Sequence, residues 1–112
     1  MTNNNISHAS DANFKKEVIE SKLPVFVDFF ASWCGPCKYF ANVLNEVAPL
    51  YADKVKFVKV NVDESPEIAS QVGIYSVPTL MFFKNGKAEK TMSGALAKDA
   101  FIKEINDFIS HF

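Results

Sequence analysis

The stretch "PVFVDFF", Pro24 to Phe30, is apolar at every position but one and rich in β-branched and aromatic residues. It is too uniformly apolar for a strand with one wet face, so it predicts a central strand covered on both sides. A second strand is predicted over "VKFVKVNVD". There Val58, Val60 and Val62 alternate with Phe57, Lys59 and Asn61, and successive side chains take opposite faces. Between these two strands, Cys34 to about Tyr51 has helical spacing, with Phe40, Val43, Leu44 and Val47 on one face. Upstream, "SDANFKKEVIESK" predicts a short amphipathic helix with Ser10 or Asp11 as its cap and Phe14, Val18 and Ile19 facing inward. "SPEIASQVG" predicts another, with Ser65 as cap, Pro66 in its first turn and Gly73 as its stop. "TLMFFKNGKAEKTMSG" reads as two strands turned at Asn85-Gly86, a strong hairpin signal. "AKDAFIKEINDFISHF" closes the chain as an amphipathic helix buried along Phe101, Ile105, Phe108 and Ile109. Strand, helix, strand implies a parallel pair with a right-handed crossover. With the hairpin added, the expected class is α/β: a mixed sheet with helices on both faces, residues 1–112 forming a single domain.

Composition narrows the function. A chain of 112 residues buries roughly two-thirds of its unfolded surface, so it needs no covalent staples to fold. Apolar residues at 48% and charged residues at 22% are a globular mixture rather than a disordered one. Net charge is −1 and every basic residue is a lysine, which is no nucleic-acid footprint. No apolar run approaches the roughly 20 residues of a membrane helix. The polar N-terminus, "MTNNNISHASDANF", argues against a secretory signal, so a cytoplasmic location is expected. In that compartment thiols stay reduced, and a lone Cys pair is catalytic, redox-sensing or metal-binding.

Cys34 and Cys37 are the chain's two cysteines. Cys34 follows a strand and opens a helix, where free backbone N–H groups and the positive end of the helix dipole stabilise a thiolate. Cys37, one turn on, faces the same side and lies within disulfide reach. Pro36 falls in the first turn, where a missing N–H costs little, and Gly35 removes bulk beside the sulfurs. An exposed Cys34 would attack a substrate disulfide, and a recessed Cys37 would then resolve the mixed disulfide. Two other readings stand beside this one. Zinc would need His8 and His111, near opposite termini, to complete four ligands, and no metal site is expected. Two inert core cysteines fit poorly with Gly-Pro at a helix start.

"WCGPCK" after "VDFFAS", "VPT" near residue 78 and "GALAK" near residue 94 closely resemble the thioredoxin family, in the expected order and from about Phe14 to Phe108. The resemblance implies the thioredoxin fold: a mixed five-stranded sheet flanked by four helices, its first strand around Ile6. Asp28 already stands out as a carboxylate inside an apolar strand, where desolvation raises its pKa and makes it a candidate proton acceptor. The bland alternative is a strand-end carboxylate left in water. The resemblance implies a role for Asp28 in deprotonating Cys37. Lys59 interrupts the neighbouring strand and would offset part of that desolvation, unless it snorkels to solvent. Pro78 begins an apolar strand without donating to the ladder. The resemblance implies a cis bond there, leaving the Val77 backbone to pair with an extended substrate by strand addition. Trp33 is expected to be partly exposed and to touch partners, and Gly94 and Ala95 resemble the family's substrate-facing loop. Phe30, Asn42 and Ser93 depart from the family pattern, which commonly has tryptophan, proline and an apolar residue there.

Gly-Pro between the cysteines brings no charge to favour the dithiol, so the pair is expected to act as a reductant. The resemblance, closest to bacterial-type cytoplasmic members, implies disulfide-containing protein substrates and recharging by an NADPH-dependent thioredoxin reductase. The chain has no glycine-rich dinucleotide loop, so no cofactor of its own is expected, and a monomer is. A dithiol oxidase or isomerase would differ only in redox poise. From another class, a non-enzymatic partner-binding subunit is the competing reading, either as an alternative or as a second role.

Overall fold

The uniformly apolar stretch forms β2 (Val25–Phe30), the middle strand of the sheet, and residues 25–29 are all buried. The structure is a computed structural model, and it describes residues 5–111. The remaining strands are β1 (Ile6–Ala9), β3 (Lys56–Asn61), β4 (Thr79–Lys84) and β5 (Lys87–Ser93). They lie in the order β1-β3-β2-β4-β5, with β3 parallel to both β1 and β2, and β4 antiparallel to β2 and β5. A π-helical turn (Lys15–Ile19) and the helices α1 (Gly35–Val47), α2 (Pro66–Val72) and α3 (Lys98–Ser110) complete the expected five strands and four helices.

Each face of the sheet has its own core, as a central strand buried on both sides requires. On one face, Phe26, Phe57, Leu80 and Phe82 meet Phe40, Val43, Leu44 and Val47 of α1 and Phe101 and Ile105 of α3. Phe101 lies 4.8 Å from Phe26 and 5.0 Å from Phe40, ring centre to ring centre, within the range of favourable tilted and edge-on aromatic pairs. On the other face, Val27, Phe29, Val58, Val60 and Met81 pack under Phe14, Val18 and the half-buried Ile68 and Val72 of α2. Alternation along β2 and β3 therefore puts Asp28 and Lys59 on the α1 face, beside Phe26 and Phe57.

The expected second helix ends sooner than Tyr51. Pro49 has no N–H to give, and Ala48–Tyr51 tightens into a 3-10 turn. At Asn42 the helix runs unbroken. The hairpin forms as expected, with Asn85 and Gly86 at φ 52° and 80°, the pairing a primed turn needs. Any larger residue at 86 would also bring its Cβ to 3.0 Å from the Ile19 carbonyl oxygen.

One capping expectation holds in position but not in bonding, and the other needs correction. Ser65 occupies the cap position of α2, but its hydroxyl is buried with no hydrogen-bond partner. The free N–H groups of that helix, from Ile68 and Glu67, donate instead to the Asp11 carboxylate at 2.8 and 3.3 Å. Asp11 thus caps a helix more than fifty residues downstream rather than its own. The first helical segment is capped in position by Phe14, whose N–H donates to the Ser10 carbonyl, while the Asn13 side chain closes the turn by accepting from the Ser10 N–H at 2.7 Å.

Candidate active site

β2 ends at Phe30, and the chain turns through Ala31, Ser32 and Trp33 into α1. Cys34 is the cap residue of that helix, in extended conformation, and its Sγ accepts a hydrogen bond from the Cys37 N–H at 3.2 Å. Pro36 sits in the first turn and has no N–H, so this N–H is one of the few free donors at the helix end. The sulfur is held where a negative charge would be met by a donor and by the helix dipole. Cys34 and Cys37 are joined as a disulfide, their Cα atoms 5.2 Å apart. The expected contrast between an exposed and a recessed cysteine is not observed: Cys34 is 4% exposed and Cys37 3%. What separates them is position, since Cys34 caps the helix and Cys37 lies on its inner face.

Across the sulfurs runs the segment before β4. The Val77–Pro78 bond is cis, and the Val77 carbonyl oxygen lies 3.7 Å from Cys34 Sγ. Among the described residues, neither the N–H nor the carbonyl of Val77 joins a backbone hydrogen bond. The loop around it is tied down on both sides. Thr79 Oγ1 donates to the Ser76 carbonyl at 2.7 Å, and the Gly94 N–H donates to the Pro78 carbonyl at 2.8 Å. Gly94 has φ +91°, a backbone that strains other residues, and open space where a side chain would stand. Ala95, next to it, is half-buried against the α1-side core. Gly35 likewise faces open space.

Beneath the disulfide, Phe30, Val62 and Val77 pack on Ala31, Cys34 and Cys37. One pleat deeper on the same face is Asp28, wholly buried, with both carboxylate oxygens lacking a hydrogen-bond partner. It is therefore no exposed strand-end group. Desolvation raises its pKa from 3.8 to about 7, with the Lys59 charge pulling it partly back. Lys59 is directly opposite Asp28 in the parallel register, and its Nζ lies 4.5 Å from the centre of the Phe30 ring. Trp33 is 69% exposed, and its indole N–H donates to Asp63 Oδ2 at 2.9 Å.

Asp63 is the site residue that sequence reasoning missed. Asn61 accepts from the N–H groups of Asp63 and Glu64, so "NVDE" signals a local turn after β3. Nothing local signals the indole, which lies 30 residues away along the chain. Of the other residues singled out from the sequence, Val77 packs against the two cysteines, Gly94 joins the Val77–Pro78 segment through its hydrogen bond to Pro78, Ala95 packs against the α1-side core, and Asp28 and Lys59 face one another across β2 and β3. Among the described residues no cluster of histidine, cysteine, aspartate or glutamate is arranged to hold a metal ion.

The thioredoxin family model matches residues 5–107. The chain is 57% identical over 89 residues to thioredoxin 1 of Synechococcus elongatus, covering 80% of this chain and 83% of that one. It is 47% identical over 103 residues to the thioredoxin of Rickettsia felis, covering 92% and 98%. It is also 48% identical over 101 residues to a chloroplastic M-type thioredoxin of Chlamydomonas reinhardtii, covering 90% and 72%.

Proposed function

The chain belongs to the thioredoxin family, and we propose how its residues divide the work of reducing protein disulfides. It is a thiol–disulfide oxidoreductase whose redox-active centre is the Cys34–Cys37 pair. The observation that carries the assignment of roles is the hydrogen bond from the Cys37 N–H to Cys34 Sγ at the mouth of α1. It supports Cys34 as the sulfur that is stabilised as a thiolate, hence the attacking one.

In the dithiol form the Cys34 thiolate attacks one sulfur of a substrate disulfide. That bond breaks, a mixed disulfide forms, and the substrate's departing sulfur leaves as a thiolate that takes a proton from solvent. Cys37 gives its proton to Asp28 and attacks Cys34 Sγ. The mixed disulfide breaks, the second substrate sulfur leaves and is protonated, and the Cys34–Cys37 disulfide remains. Two electrons have passed from the dithiol to the substrate. A carboxyl group with a pKa of about 7 suits this step, being able to accept and return a proton near neutral pH. Lys59 keeps that value from rising further.

The substrate binds as an added strand. The unpaired Val77 backbone beside cis-Pro78 receives its main chain, Gly35, Pro36, Gly94 and Ala95 let it approach, and exposed Trp33 covers its flank. Main-chain recognition of this kind admits many disulfide-containing proteins. Recharging falls to an NADPH-dependent thioredoxin reductase using the same surface. The protein works as a monomer of one domain, residues 1–112, in the cytoplasm, where a reductant is kept charged.

Trapping tests the assignment. The Cys37→Ser variant, mixed with a disulfide-bonded protein, should accumulate a covalent adduct through Cys34 that dithiothreitol releases. Cys34→Ser should form none. An adduct formed through Cys37 instead would reverse the roles.

A further inference from the structure

Lys59 and Asp28 are opposite one another on adjacent parallel strands and share one face, an arrangement that invites a direct ion pair. The pair is not made. Both Asp28 oxygens are without a hydrogen-bond partner, while the Lys59 ammonium lies 4.5 Å from the centre of the Phe30 ring. Phe30 stands two residues beyond Asp28 on β2, hence on the same face, and packs against the Cys34–Cys37 cluster. An aromatic face attracts a cation, most strongly where water is scarce.

We propose that Phe30 is a positioning residue for the redox reaction: its ring holds the Lys59 ammonium out of contact with Asp28, leaving a carboxylate that can take and return a proton beneath the disulfide. The surroundings leave little else to do this. From β3, Asp28 faces Lys59; from β4 its partner is the uncharged Leu80; α1 brings Cys34 and Cys37, here oxidised; and α3 adds the apolar Phe101 and Ile105 to the core on that face. Among the described residues, Lys59 is also the charge that acts on the Asp28 carboxyl. Contact between the two would hold Asp28 ionised at neutral pH and spend its capacity as a proton acceptor, since an adjacent opposite charge favours the charged form.

The inference rests on the role proposed above for Asp28, but its test reads ionisation rather than turnover. The Asp28 carboxyl carbon is followed by NMR against pH in the oxidised protein and in Phe30→Leu, with Phe30→Met as a second variant should the first fail to fold. Loss of the ring frees Lys59 to reach the carboxylate, so the midpoint should fall by about one pH unit, a tenfold loss of proton affinity. Phe30→Trp, which keeps an aromatic face, should leave it near its original value. In a Lys59→Gln background, Phe30→Leu should produce no fall. An unchanged or raised midpoint in Phe30→Leu, or a fall that persists without Lys59, overturns the proposal, because a role in packing alone would not depend on the lysine. If the midpoint moves as expected while the resolving step keeps its rate, Phe30 positions Lys59 as proposed and it is Asp28's part in proton transfer that fails.

Discussion

A carboxylate at Asp28 is buried without a single hydrogen bond, and that raises its folded pKa to about 7, from 3.8. The sign of its effect on stability follows. Between those two values the folded protein binds a proton that the unfolded chain has released, so stability falls as pH rises through this window. The loss is complete above about pH 7 and absent below about pH 4. Asp28→Asn should therefore be more stable than the parent at pH 8.5, by roughly 2 to 4 kcal/mol, and gain little at pH 4, as urea denaturation at both values would read. The same variant should slow resolution of the mixed disulfide at pH 7 by about tenfold or more, which rapid-quench kinetics would measure. Asp28 was legible in the sequence because one charge inside "VFVDFF" has no local excuse. The near-equal burial of the two cysteines was not, because solvent access depends on which segments fold over the sulfurs.

Helix ends show where local reading failed. "SPEIASQVG" contains a plausible cap in Ser65, yet the cap of α2 comes from Asp11 on the far side of β2 and β3 in sequence. A cap chosen by tertiary contact leaves no local signature at either position. Asp11→Ala should cost about 1 kcal/mol in denaturation and speed amide exchange at Glu67 and Ile68. Ser65→Ala should be close to neutral, since that hydroxyl is buried without a partner and loses no bond on removal. Were Ser65 the working cap, the two results would be exchanged. Elements whose geometry is encoded locally were read well. Asn85-Gly86 forms its primed turn, and the apolar stripe of α1 lies inward at Phe40, Val43, Leu44 and Val47.

At the scale of the molecule, the site forms because the crossover between β2 and β3 places α1 over one face, with its mouth at the ends of both strands. The β4 segment then returns antiparallel beside β2 and brings Val77 to Cys34 from 43 residues away. Periodicity predicts the strands and helices, but not that meeting. The motifs "WCGPCK", "VPT" and "GALAK" anticipated it only through their resemblance to a family with a known arrangement. This assembly makes the Cys34–Cys37 pair a reductant. Neutral Gly35 and Pro36 add no positive charge to favour the dithiol beyond what the helix end supplies. The equilibrium reduction potential of the pair in dithiothreitol buffers, followed by the fluorescence of Trp33 beside Cys34, tests this most directly. A reversible two-electron transition more reducing than the glutathione pool, about −220 to −260 mV by extraction, is the expected result. A potential well above that pool would contradict it and mark the protein as an oxidase or isomerase.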